Sequence, residues 1–235
     1  MVFGNYLRDI DTKIHRGNLK GAVLSSMNLF GERLLDIGCG KMPYRDAISA
    51  NSQVKQYVGL DLESAKYLKG GKRPDQVWDG KRIPFDNGSF DSVMCTEVLE
   101  HCLHPEELLT EAHRVLKPGG LIFFTVPFLW PLHETPNDYF RYTPFALEAL
   151  LEETGYESIE IRALGGWHCS LAQMLGLWIN RSALGKWKRR FIGVFTLPVI
   201  SLLLKMDSPP QNFSERTMVS GLYGTAIRSK QVGKK

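Results

Sequence analysis

The sequence predicts an α/β chain built on a doubly wound, mostly parallel sheet, and three observations carry the prediction. Strand-like and helix-like segments alternate along the chain. The first strand runs into a glycine-bearing turn, "LLDIGCGKMPYRD" at 34–46, where open α/β sheets place a ligand. An apolar fraction of 43% over 235 residues is that of an ordinary globular chain with a substantial core.

The elements follow in order. Residues 5–29 mix polar and apolar positions and are expected to form a helix or two, the main part of an N-terminal helical segment at 1–30. "RLLDI" is a buried strand, "PYRDAISAN" a helix with proline in its first turn, and "QYVGLDL" a second strand. "QVWD", "FDSVMC" and "LIFFTVP" are the next three. Between the last two, "PEELLTEAHRVLK" is helical, with Leu108, Leu109, Ala112, Val115 and Leu116 on one face and "KPGG" as its stop. "TPFALEALLEETGY" is a helix with a Thr cap and a glycine stop, "ESIEIRAL" a sixth strand and "MVSGLYGTAIRSK" a seventh, antiparallel in the sheet. "KQVGKK" is a frayed basic tail. The main domain is therefore expected at 31–164 and 210–230. The segment 165–209, longer than ordinary connections, is a separate helical insertion.

Charge is unevenly spread over this chain of net charge +4. From Ile161 to Met206 there are seven Lys and Arg and no Asp or Glu, which leaves 22 basic against 25 acidic side chains elsewhere. A local anionic partner or surface is indicated, and a nucleic-acid partner is not expected. The start shows no basic region followed by an apolar run, so the expectation is a cytoplasmic protein, peripheral at the membrane if the insertion binds lipid. Cys39, Cys95, Cys102 and Cys169 form no C-x-x-C pair, and three lie in apolar or strand-like contexts, as reduced packed thiols do.

In the first turn, Gly38 and Gly40 allow close approach of backbone to a ligand. Pro43 stands where a dinucleotide fingerprint needs Gly or Ala, and the Asp36 carboxylate repels a phosphate but suits a cationic amine. A nicotinamide oxidoreductase is thereby disfavoured. Asp61, about twenty residues beyond Gly40, is placed to accept ribose hydroxyls, as in several adenosine cofactor sites. Asp79 and Gly80 follow the third strand, where Asp79 either meets an adenine amino group or closes an Asx-turn.

"LLDIGCG", "VGLDL", "IPFDNGSFDSVMCTEVLEHC" and "EAHRVLKPGGLIFFTVP", in this order and spacing, resemble the class I S-adenosylmethionine-dependent methyltransferases, in particular the small-molecule, type 11-like group, over about residues 33–128. The resemblance implies a Rossmann-like seven-stranded sheet and S-adenosylmethionine as cofactor. It also implies that Asp36, Gly38 and Gly40 line the methionine end, Asp61 takes the ribose, Asp79 and Gly80 lie near adenine, and Thr96 and Glu97 border the cofactor. Met42 departs from the glycine that many members carry, and the "GCGKMPY" form resembles members associated with surface-glycan and lipid-linked pathways. A sulfonium with an ammonium group and no phosphate agrees with the acidic, glycine-lined turn.

Acceptor chemistry is expected beyond the fourth and fifth strands. "CTEVLEHC" is not the Asn-Pro-Pro-aromatic turn of base-amine methylation. "PFLWPLHETPNDYFRYTPFAL" gathers polar groups on one loop: His133 is the general-base candidate, Asp138 its orienter, and Arg141 a ligand for an acceptor anion. His101 is read as a packed or capping histidine. No metal is assigned, since no carboxylate cluster accompanies His101, Cys102 and His104.

The sequence therefore favours methyl transfer, at oxygen, to a small-molecule or lipid-linked glycan acceptor. RNA or protein methylation, and a non-catalytic cofactor-binding subunit, are the alternatives. In the insertion, Trp167, Leu171, Met174, Leu175 and Trp178 share a helical face, and the fourteen-residue apolar run Phe191–Leu204 is too short to span a bilayer. An interfacial helix pair, a cap on the domain or a homodimer surface fits that pattern.

Overall fold

The computed structural model describes residues 9–63 and 73–230. The expected helix content at 5–8 and the tail beyond Lys230 lie outside them. In order come α1 (Ile10–Ser26), β1 (Arg33–Ile37), α2 (Arg45–Asn51), β2 (Gln56–Leu62), β3 (Gln76–Trp78), β4 (Phe90–Thr96), α3 (Pro105–Val115) and β5 (Leu116–Pro127). They are followed by α4 (Pro144–Glu153), β6 (Tyr156–Leu164), α5 (Trp167–Arg181), α6 (Lys186–Met206) and β7 (Gly221–Arg228).

The seven strands form one sheet in the order β3-β2-β1-β4-β5-β7-β6. Pairs β1–β2, β1–β4, β2–β3 and β4–β5 are parallel, with Asp36 beside Gly59 on one side and Met94 on the other. β6 and β7 run antiparallel, as the bonds Ser229 N–H to Gly155 O and Ser220 N–H to Leu164 O show. The strand order reverses at β1 and β4, so the ligand crevice of such a sheet opens at their carboxyl ends.

By packing, the described chain divides into two compact units. One comprises 9–22, 127–132 and 162–222; the other comprises 23–63, 73–126, 133–161 and 223–230. The expected boundaries set residues 1–30 apart, whereas the structure groups residues 9–22 with the insertion and 23–30 with the larger unit. In the larger unit Leu34, Leu35, Ile37, Leu60, Val93, Met94, Phe123 and Phe124 are buried on the central strands, which explains their near-continuous apolar sequences. In the smaller unit Ile10 and Ile14 of α1 pack with Cys169, Ala172 and Ile179 of α5 and Leu197 and Ile200 of α6. There Asp11, itself buried, accepts from Asn180 Nδ2 at 2.7 Å and Arg181 Nε at 2.8 Å.

Two expectations need correction. The helix read through Lys117 ends at Val115, because Pro118 disfavours helical backbone at Lys117, and Leu116 instead opens β5 beside Phe90. Pro43 lies ahead of α2 rather than in its first turn, since Tyr44 is the N-cap. The other helices stand as read: Thr143 caps α4 by accepting from Ala146 N–H at 3.2 Å, and Gly155 beyond its end has φ +90°. All four cysteines are free, three of them buried.

Candidate active site

Residues of the larger unit build the site from two regions at the strand ends. The first is the turn after β1. Gly38 (φ +67°) and Gly40 (φ +52°) hold left-handed backbone that side chains disfavour. A Cβ on Gly38 would meet Val98 Cγ2 at 2.4 Å, so only glycine lets the turn close against the exit of β4. A Cβ on Gly40 would project into open space. Met42, where the family pattern has glycine, adopts the same left-handed region (φ +52°), with its buried side chain over Gly59.

Asp36 ends up fully buried. One carboxyl oxygen accepts from the Tyr57 hydroxyl, and Oδ1 has no partner. Burial first, and repulsion from Asp61 in addition, push its carboxyl up to about 7 against the Tyr57 bond. An orphaned buried oxygen beside a glycine turn is the environment in which an ammonium would restore the missing partner. Asp61 accepts from Gly40 N–H at 2.8 Å through Oδ2 and from Leu62 N–H at 2.7 Å through Oδ1.

Asp79 is exposed and closes an Asx-turn: Oδ1 accepts from Lys81 N–H at 2.9 Å and Arg82 N–H at 3.3 Å, and these bonds lower its pKa. Of the two sequence readings of Asp79, this is the one visible in the geometry. Gly80 beside it has φ +81°. Thr96 ends β4, and Glu97 follows with φ +55°, its N–H bonded to Thr125 O at 3.0 Å and its carboxylate accepting from Thr125 Oγ1 at 3.1 Å. A non-glycine residue in that conformation, pinned by its neighbour strand, is the strain found at ligand sites.

The second region joins the turn Leu99–His101 to the loop 133–142. Tyr139 N–H bonds Glu100 O at 2.8 Å, Tyr142 Oη bonds Leu99 O at 3.0 Å, and His101 Nδ1 lies 2.6 Å from Asn137 O. On this frame Asp138, its side chain 1% exposed, takes a bidentate pair from Arg141 at 2.7 and 2.8 Å and the His133 N–H at 3.0 Å. The Arg141 pair above all holds its carboxyl far below the usual range. His133 Nδ1 is 3.3 Å from Asp138 Oδ2, and its ring stands edge-on to His101 at 4.6 Å. Desolvation first, then His101, lower the His133 pKa, so the imidazole is neutral near pH 7.

Glu100 was not foreseen. Its side chain is wholly buried and, among the described residues, neither carboxyl oxygen has a hydrogen-bond partner; Oε1 is 3.7 Å from His101 Nε2 and 3.9 Å from His133 Nε2. Burial, then Glu97, raise its pKa well above normal. The signal was present in "VLEHC", an acid inside an apolar run beside a histidine. Glu100, His101 and His133 present ligand atoms within 4.8 Å of one another, a spacing that could hold a cation. Arg141 departs from expectation: its fork is engaged by Asp138, which makes it a positioning residue rather than a ready anion ligand.

A mostly parallel sheet reversing beside a glycine turn, with an acid at the carboxyl end of β2 and a strained exit from β4, defines a nucleoside-cofactor α/β enzyme fold. Residues 35–124 match the family described as "Methyltransferase domain", and this part of the chain is a class I S-adenosylmethionine-dependent methyltransferase domain. Among similar proteins, the ubiquinone biosynthesis O-methyltransferase of Dechloromonas aromatica is 31% identical over 124 residues, 48% of this chain and 50% of that one. The phthiotriol/phenolphthiotriol dimycocerosates methyltransferase of Mycobacterium leprae is 36% identical over 110 residues, 44% and 40% of the two chains. The chain thus spans about half or less of the curated relatives it matches. A S-adenosylmethionine-dependent methyltransferase from Archaeoglobus fulgidus shares the fold with a TM-score of 0.56 at 17% identity, covering 91% of this chain and 94% of that one. Haemonchus contortus phosphoethanolamine N-methyltransferase 2, solved with S-adenosyl-L-methionine, gives 0.54 at 18%, covering 90% and 52%.

Proposed function

We propose that the protein transfers a methyl group from S-adenosylmethionine to a hydroxyl of a small-molecule or lipid-linked glycan acceptor. The observation that carries the oxygen assignment is a neutral imidazole, His133, set against a buried, ionised Asp138 that Arg141 locks in place. When bound, the cofactor supplies an electrophilic methyl on a sulfonium. Asp36 and the Gly38–Gly40 turn would hold its amino-acid end, Asp61 its ribose, with Asp79, Gly80, Thr96 and Glu97 around the rest.

His133 accepts the acceptor hydroxyl proton, while Asp138 Oδ2 holds its backbone N–H and lies 3.3 Å from Nδ1, so that an alkoxide develops only as it attacks the methyl. The relatives named above support this reading, one as an O-methyltransferase of ubiquinone biosynthesis and the other as a methyltransferase of phthiotriol and phenolphthiotriol dimycocerosates. Isotopically methyl-labelled cofactor incubated with extracts, followed by mass spectrometry, should label one acceptor class at oxygen. His133→Ala should lower turnover by roughly 10²–10⁴-fold at unchanged cofactor affinity. The wild-type kcat/KM should rise with pH to a plateau, half-maximal below the ordinary histidine value of 6.5. Surviving turnover in His133→Ala removes the base assignment. Asp61→Ala should weaken cofactor binding by about 1–3 kcal/mol, and equal binding would remove the ribose assignment.

A further inference from the structure

The smaller unit carries an exposed apolar surface that lies outside the site residues described above. Along α5, Trp167, Leu171, Met174 and Trp178 repeat at helical spacing on the exposed face, while Cys169, Ala172 and Ile179 are buried opposite. α6 repeats the arrangement. Trp187, Phe191, Val194, Phe195, Val199 and Leu202 are exposed, whereas Leu197 and Ile200 pack inward with Ile192 and Leu203. Trp187 is 74% and Phe195 64% exposed, and the rings of Trp187, Phe191 and Phe195 follow one another at 5.9 and 5.1 Å. Water-facing helices rarely show such a stripe without a partner.

Charge selects the partner. Lys186, Lys188, Arg189 and Arg190 sit in the first turns of α6, at the positive end of the helix dipole, and Gly185 supplies no side-chain cap. Cations there repel the dipole unless an anion is near. No Asp or Glu occurs between Ile161 and Met206, so a second copy docking through the same face would bring cations with nothing in that segment to neutralise them. An anionic headgroup layer meets the cations, the acyl boundary meets the stripe, and tryptophan suits the junction of the two. Among the described residues no helix is long and apolar enough to cross a membrane, in keeping with helices that lie in the surface.

We propose that α5 and α6 seat the protein on an anionic lipid bilayer, with the α6 amino end at the headgroups. The proposal stands independently of the acceptor assignment. The test is flotation of the full chain with phosphatidylcholine vesicles, with and without phosphatidylglycerol, at low and high salt, beside light scattering without lipid. Flotation should need phosphatidylglycerol and weaken with salt. Changing Lys186, Lys188, Arg189 and Arg190 together to Gln should lower partitioning by on the order of a hundredfold or more. Trp187→Ala and Phe195→Ser, at exposed positions, should weaken it with unchanged circular dichroism. No flotation at low salt, equal binding to neutral vesicles, binding retained by the fourfold variant, or a salt-resistant dimer in place of flotation each overturns the proposal.

Discussion

Asp36 and Asp138 are both aspartates with side chains almost completely withdrawn from water, yet their acidities move in opposite directions. The Asp36 carboxyl, with a tyrosine hydroxyl as its one hydrogen-bond partner among the described residues and an orphaned oxygen, is pushed up to about 7. Asp138, with an arginine fork and a backbone N–H, is held well below the ordinary range. Depth alone therefore does not set the charge; the partners do. The difference matches two tasks. A carboxyl left incomplete is ready to gain a cation, whereas a completed one is fixed as a post against which a histidine can be oriented.

Breaking the completed region should have the largest effect. Arg141→Met leaves the Asp138 carboxylate buried without its countercharge and should cost about 3–5 kcal/mol in denaturant unfolding. Adding Asp138→Asn should recover much of that loss. A cost below about 1 kcal/mol would mean that the two carboxylates differ less than their geometry indicates.

The incomplete region should respond with the opposite sign. A carboxyl raised from 3.8 to about 7 keeps its proton in the folded state while the unfolded chain ionises. Its contribution is thus full below about pH 4 and is lost as pH rises towards 7. Relative to wild type, Asp36→Asn should gain stability across that window, on the order of 4 kcal/mol by pH 8. Cofactor affinity of the wild type should rise with pH through 7, and that dependence should vanish in the variant. Parallel stability profiles of the two proteins from pH 4 to 8 would show that Asp36 ionises normally. A smaller effect is expected from Gly38→Ala, which meets both the left-handed backbone and Val98: about 1–3 kcal/mol, with a larger proportional loss of cofactor affinity by calorimetry. If affinity and stability are both unchanged, the turn is not shaped by its backbone.

The turn was legible in the sequence because everything it needs lies within a few residues: a strand, two glycines and an acid. The sheet was legible for the same reason, since each strand announces itself locally. What escaped was pairing between distant segments. Nothing in "QYVGLDL" reveals that Tyr57 caps Asp36, and "VLEHC" shows an acid in an apolar run but not that its carboxyl is enclosed without a hydrogen-bond partner among the described residues. His133 and Asp138 are close enough in sequence to be grouped, yet the bidentate grip of Arg141 on Asp138, three residues away, depends on how the loop turns around Glu100. The grouping of the N-terminal helix with the insertion was invisible, because Asp11 meets Asn180 across a separation of 169 residues.

That separation bears on the order in which the chain can acquire structure. β1 to β5 and their helices lie within one continuous stretch and can assemble as it is made, whereas Ile10, Ile14 and Asp11 find their partners only after residues to Ile200 exist. Until then α1 carries an apolar face and an acid with nothing to hold them, and α5 and α6 arrive with apolar residues on both their inner and outer faces. The late-closing unit is thus the aggregation-prone part of the nascent protein, and its yield on refolding should be governed by how quickly the first helix meets the last two.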